Sequence, residues 1–180
     1  SWTQGATVRK AILVATDGGC RSTPVGPRAG WGYSSNDASL GAGYEAVKGQ
    51  HQTAQRGEVL GVLHAVAQGQ GSLHIVTDSK YVAGQITKML GDCKLTGKHQ
   101  DLWDAIGRMR DRILGVTWVK AHLTWEEANA RGISREHWDL NRRADIETGK
   151  GVEAHVEDPG HWAQMGTPAA PSQRVATGPS

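Results

Sequence analysis

Cysteine is scarce in this 180-residue sequence, and what there is excludes a disulfide scaffold. Cys20 and Cys93 are the only two and form no metal-ligand spacing, so an intracellular, reducing compartment is the expected environment. Long apolar runs are missing as well. None approaches the roughly 20 residues that a membrane-spanning helix needs, and no membrane partner is expected. The opening Ser1-Trp2-Thr3-Gln4-Gly5 has neither an apolar stretch nor an initiator Met. No signal peptide is expected there, and the chain is expected to be a fragment or a processed product. A strong charge of one sign is also absent, with a net +2 overall. The last 30 residues hold only Arg174 against Glu153, Glu157 and Asp158, which leaves residues 1–150 with 19 basic and 15 acidic groups, a balance of +4. So mild an excess permits a polyanionic partner without demanding one. The length fits one domain with a sizeable core, and no internal repeat is visible.

What is present centres on Ile75-Val76-Thr77-Asp78-Ser79-Lys80-Tyr81-Val82. Leu73, Ile75 and Thr77 point one way and His74, Val76 and Asp78 the other, so a carboxylate closes an apolar strand. Open α/β sheets bind their ligands at that edge. Before it, residues 8–16 read as a buried strand ending at Asp17, and 30–35 and 42–48 as two further strands joined at Asn36-Asp37. A helix over 53–67 follows, with Val59, Val62, Leu63 and Val66 as its buried stripe and Glu58 at the stripe's border. After Asp78 come a helix over 80–90, a loop over 91–98, a helix over 100–113 and a strand over 116–121 that ends at His122. Thr124-Trp125-Glu126-Glu127 has the form of a capping box, broken by Gly132, and Ser134 caps a last helix over 135–149 that carries Asp145. Beyond Gly151 the pattern stops. Residues 151–180 are expected to be a flexible tail, 1–7 an N-terminal extension and 8–150 the domain. The order β-β-β-α-β-α-α-β-α predicts an α/β fold with a mixed sheet.

Asp17, Glu58, Asp78 and Asp145 all stand at element ends or buried borders. Brought together without a cation they would repel one another, and an all-oxygen set selects a hard ion such as Mg²⁺ or Mn²⁺. Two such ions make a clamp for phosphoryl transfer. Plainer readings stand beside this one. Asp78 can be a helix N-cap, Asp17 a turn former beside Gly18, and Glu58 a solvated helix residue. Asp145 can pair with Arg142 or Arg143, and His122 can be a loop histidine without a task.

Six stretches decide between these readings by resemblance. Thr16-Asp17-Gly18-Gly19-Cys20, Thr53-Ala54-Gln55-Arg56-Gly57-Glu58, Thr77-Asp78-Ser79-Lys80-Tyr81-Val82, Asp101-Leu102-Trp103, Trp118-Val119-Lys120-Ala121-His122 and Asn141-Arg142-Arg143-Ala144-Asp145 follow one another in that order. Together they resemble type 1 ribonuclease H, the cellular enzyme and the related domain of reverse transcriptases, over about residues 8–150. The resemblance implies a ribonuclease H-like fold, a five-stranded mixed sheet in the order 3-2-1-4-5 with helices on both faces. It implies hydrolysis of the RNA strand of RNA–DNA hybrids by two Mg²⁺ ions, with Mn²⁺ as a substitute, leaving 5′-phosphate and 3′-hydroxyl ends. Asp17 would bridge both ions, Asp78 and Asp145 would hold the one that activates water, and Glu58 the one near the leaving oxygen. His122 would be an auxiliary group in a mobile loop. Backbone groups of Gly18, Gly19 and Cys20, with Gln55, would meet the hybrid's minor groove, and Thr53 and His99 a DNA phosphate.

Some positions depart from the family. Ala54 stands where an Asn is usual, and His99 where the phosphate pocket often has Asn. The loop over 91–98 carries only Lys94 and Lys98 in place of the basic protrusion of many cellular members. That hints at a retroelement or viral domain with help from a neighbouring reverse transcriptase domain. Between His122 and Asp145 the chain is longer than usual. Trp125, Arg131, Arg135, His137 and Trp138 there either contact nucleic acid or, for the tryptophans, anchor the insertion to the core. Trp31, Trp103 and Trp118 are expected in the core. Two rival functions share the fold: a hybrid-binding scaffold without catalysis, and an integrase- or resolvase-like nuclease acting on DNA.

Overall fold

Alternation along two central strands sets the architecture. In the computed structural model, which describes residues 10–157, β1 (Ile12–Arg21) pairs antiparallel with β2 (Arg28–Ser35) and parallel with β4 (Leu73–Thr77). β3 (Ala42–Ala46) adds antiparallel to β2 and β5 (Ile113–Trp118) parallel to β4, which gives the order β3-β2-β1-β4-β5. This is the ribonuclease H-like sheet expected from the sequence, and its helices lie on both faces. On one face Ile12, Val14, Leu73 and Ile75 meet α1 (Ala54–Gln68), α2 (Lys80–Leu90) and α3 (Gln100–Gly107) in the main core. On the other, Ala15 and Val76 pack with Val119 against Leu140 and Ala144 of α5 (Arg135–Glu157).

Within α1, Val59, Val62 and Val66 are fully buried, each contributing about 1.5–3 kcal/mol relative to exposure. Thr53 caps the helix, its hydroxyl oxygen accepting from the Arg56 N–H at 3.0 Å. Gln52 is buried just before it. Its amide accepts from the N–H of Ala29 (2.8 Å) and donates to the carbonyls of Val47 (2.7 Å) and Gly49 (2.9 Å), stapling β2 to the entrance of α1.

Glycine brings α1 down onto the sheet. A Cβ at Gly18 would lie 2.1 Å from the backbone nitrogen of Glu58, and one at Gly57 would lie 2.4 Å from the Gly30 carbonyl oxygen. The neighbours are backbone and cannot swing aside. Gly18→Ala is therefore expected to cost about 3 kcal/mol or more, at or above the usual range for overpacking. Urea unfolding reads it as a lower midpoint, and a midpoint within error of wild type would refute the close-packing account.

Several boundaries differ from the sequence expectation. Residues 1–9 and 158–180 lie outside the described residues, so the expected extension over 1–7 and most of the expected tail are not described. The start of the tail is corrected, however. α5 continues through 151–157 to Glu157, with Val152 buried and His155 fully buried against the Ala29 carbonyl oxygen at 2.7 Å. Glycines allow this contact, since a Cβ at Gly30 would lie 2.3 Å from the Val152 nitrogen and one at Gly151 would lie 2.5 Å from the Glu45 carbonyl oxygen. The helix expected over 100–113 stops at Gly107. A 3-10 turn at Arg110–Arg112 follows, and β5 starts at Ile113 rather than 116 and ends at Trp118 rather than 121. Ile113 is buried as a strand residue, so an apolar residue at helical spacing from Leu102 and Ile106 does not mark where the helix ends. Nor does β1 end at Asp17. It continues to Arg21, paired with β2 throughout.

Candidate active site

The strand alternation decides which acids meet. Asp17 on β1 and Asp78, one residue past β4, project from the face covered by α5. Asp78 is not the helix cap. Ser79 takes that role, its hydroxyl accepting from the Val82 N–H at 3.1 Å, while the Asp78 backbone carbonyl accepts from the Trp118 indole at 3.1 Å. Glu58 reaches the cluster from α1 on the other side, half-buried and hydrogen-bonded to Ser79. Asp145 comes from α5, where Arg142 and Arg143 both pair with Asp139, at 2.9 and 3.0 Å. The plainer readings of these acids do not describe their surroundings.

Electrostatics ties the four together. Burial first, then the charges of Asp78 and Asp145, push the Asp17 carboxyl up to about 9, against the lowering effect of the Gly18 N–H and the Thr148 hydroxyl. Burial also raises Asp78, as does Asp145, opposed by hydrogen bonds from Asn141 and Asp17 and by the nearby His122. Glu58 is raised by burial and by Asp78, and lowered by Ser79. Among the described residues no three or more His, Cys, Asp or Glu side chains form a ready-made metal centre. The donor chemistry nevertheless fits a hard divalent ion. The side chains are oxygen donors, Asp17 is buried where it holds a proton that a cation would displace, and Asn141 Oδ1 is a buried acceptor without a hydrogen-bond partner.

His122 is exposed, in a left-handed conformation at φ 58°, and shares a small cavity with Asp78, Lys120, Leu123, Trp138, Asn141, Arg142 and Asp145. Gly18 and Gly19 lie on β1 just past Asp17, followed by an exposed Cys20 whose thiol donates to the Gln52 carbonyl oxygen at 3.5 Å. Burial pushes that thiol up. Thr53, Gln55 and His99 share a second cleft with His51, Arg56, Lys98 and Asp101. Arg56 there makes a forked pair with Asp101 (2.7 and 3.3 Å) that holds the Asp101 carboxyl below its usual range. It also lies 3.3 Å from His99 Nδ1.

Sequence reasoning missed Asn141 and Thr148 as partners of the acids, although with Asp145 they follow the i, i+4, i+7 spacing of one helix face. It also missed Arg56 and Ser79. Trp118 corrects an expectation. It is 40% exposed, with the Lys80 ammonium 5.0 Å from its ring, whereas Trp31 and Trp103 are core as expected. Trp125 and Trp138 pack on each other, centroids 5.7 Å apart.

A mixed sheet in this order, with acids gathered over its central strands, defines a ribonuclease H-like protein. The ribonuclease H family model matches residues 9–136. The chain is 30% identical over 165 residues to "Ribonuclease H" of Chromobacterium violaceum, spanning 82% of this chain and 99% of that protein. It is 29% identical over 141 residues to "Ribonuclease HI" of Pseudomonas aeruginosa, spanning 69% and 90%. The chain belongs to the ribonuclease H family, and its relatives fit the type 1 branch. Among solved structures, LC11-RNase H1 in complex with an RNA/DNA hybrid shares the fold at TM-score 0.53 and 19% identity, over 81% of this chain and 99% of that one. The foamy viral protease-reverse transcriptase in complex with dsDNA does so at TM-score 0.57 and 21% identity, over 80% and 95%.

Proposed function

We propose that this chain hydrolyses the RNA strand of RNA–DNA hybrids at internal phosphodiesters, using two divalent ions and leaving 5′-phosphate and 3′-hydroxyl ends. The observation that carries the reading is the Asp17 carboxyl, buried within reach of the Asp78 and Asp145 charges and pushed up to about 9, in a chain of this family. Asp17 would be shared by both ions, Asp78 and Asp145 would hold the one on the attacking side, and Glu58 the other. Mg²⁺, or Mn²⁺ in its place, supplies an activated water and neutralises the leaving oxygen. The protein's own part is to hold four oxygen donors rigidly at two strands and two helices.

Substrate contacts follow from the same surfaces. Backbone groups of Gly18, Gly19 and Cys20 lie beside the acids, where a ribose 2′-hydroxyl distinguishes RNA from DNA. Gln55 would reach the minor groove. Thr53 spends its hydroxyl oxygen on the helix cap and keeps its hydrogen to donate to a DNA phosphate, with Arg56, Lys98 and His99 supplying donors around it. His122 would assist proton transfer or product release. With only Lys94 and Lys98 in the loop over 91–98, a neighbouring domain such as a reverse transcriptase would add grip on the hybrid.

The test uses end-labelled RNA annealed to DNA, with Mg²⁺ and separately Mn²⁺, beside matched RNA–RNA and DNA–DNA duplexes. Cleavage of the hybrid RNA alone, with 5′ ends open to dephosphorylation and relabelling, is the expected result. Hybrid binding without cleavage points to the scaffold, and cleavage of the DNA duplex alone to a DNA nuclease.

A further inference from the structure

We propose that Trp138 is a positioning residue: its indole N–H ties down the loop that carries His122, using the long segment between β5 and the body of α5. The inference rests on reading His122 as an auxiliary group in the site.

His122 has a backbone conformation that side-chain-bearing residues seldom adopt, and it persists only where the surroundings fix it. On the chain's way in, buried Val119 donates to the Thr77 carbonyl oxygen at 2.9 Å and holds the loop to the end of β4. On its way out, the carbonyl oxygen of Leu123, the very next residue after His122, accepts from Trp138 Nε1 at 2.8 Å. The loop is thus held one residue past the histidine.

Trp138 is itself held on several sides. Its ring packs at 55° to Trp125, and the Arg135 guanidinium lies 4.7 Å from both ring centroids. Arg142 lies 5.6 Å from the Trp138 ring and is steadied by Asp139. Trp125 opens α4 (Trp125–Ala130), whose capping box joins Thr124 and Glu127 immediately after Leu123. Ala128 is buried, and Ile133 reaches the small core around Leu140 and Ala144. The segment is therefore a folded brace and not a loose excursion. Its Trp138 side chain lines the same cavity as His122, Asp78 and Asp145. On this proposal the loop expected to be mobile would be tethered one residue past His122.

Trp138→Phe removes the N–H and keeps a ring in the stack. Arg135→Gln loosens the same stack from an exposed position and serves where the first variant folds poorly. Two quantities are measured on the full chain: amide hydrogen exchange over 120–124, and steady-state hydrolysis of a hybrid. The expected result for Trp138→Phe is exchange faster by about fivefold or more, with kcat down about 3–10-fold and KM within about twofold. In a His122→Ala background the same substitution should change kcat by less than about twofold, because the group it positions is gone. Unchanged exchange overturns the tether. An equal loss of kcat in the His122→Ala background overturns positioning in favour of a general structural role. Should His122→Ala alone retain full kcat, the reading of His122 fails, while faster exchange in Trp138→Phe would still support the tether.

Discussion

Asp78→Asn is expected to reduce hybrid cleavage by about 10³-fold or more, equivalent to at least about 4 kcal/mol of transition-state stabilisation. The substitution keeps the shape and removes one anionic oxygen at the centre of the cluster. Asp78 interacts with each of the other acids: it acts on Asp17 and on Glu58, and it is acted on by Asp145 and His122. A neutral amide there leaves three acids and weakens the attraction that would hold a divalent ion on the attacking side. The fold should survive, because the backbone carbonyl that accepts from Trp118 is unchanged and Ser79, not Asp78, caps α2. Single-turnover cleavage at saturating enzyme isolates the chemical step, while the hybrid Kd should stay within about tenfold, since phosphate and sugar contacts carry most of the affinity. Cleavage within about tenfold of wild type would remove Asp78 from the proposed machinery.

Much of this site could be read before any coordinates, and the reasons are physical. Strand alternation has a period of two, so Leu73, Ile75 and Val76 fixed the face of Asp78 from sequence, and the structure places them in two opposed cores. Glu58 was legible as the border of a valine stripe. What stayed hidden depends on close approach and on partners distant in sequence. Nothing local to Gly18, Gly30 or Gly57 says that three backbones meet there, yet that contact brings Glu58 to the sheet. The sequence pattern stops beyond Gly151, but Gly151 is where α5 presses on Glu45 and Trp31 and carries on to Glu157. Trp118 reads as core because it is aromatic in a strand. Its exposure follows from standing at the open end of β5, where its indole serves the Asp78 carbonyl. Arg56 was passed over because its partner, Asp101, lies on another helix.

Without divalent ions, Asp17→Asn is expected to make the protein more stable at pH 7, although it should destroy activity. The Asp17 carboxyl has an ordinary value of 3.8 and is pushed up to about 9 in the fold by burial and by Asp78 and Asp145. The folded state therefore holds a proton that the unfolded chain gives up. Stability from this group is fully present below the unfolded value and is lost as pH rises from about 4 through about 9. At pH 7 the wild type already carries much of that loss, and the neutral amide carries none. The expected gain is about 1–4 kcal/mol, or roughly 2–4 °C in Tm for each kcal/mol in a chain of this size. Three scans separate the cause from an ordinary packing effect. At about pH 3 the gain should nearly vanish, because both states of the wild-type carboxyl are then largely protonated. At pH 8 it should exceed the gain at pH 7. With millimolar Mg²⁺ at pH 7 it should shrink, because an ion that binds only the folded wild type stabilises it by mass action. A gain independent of pH would show that Asn simply packs better. A loss of stability at pH 7 would mean that Asp17 is not repelled by its neighbours, and the electrostatic case for a cation site would fall with it.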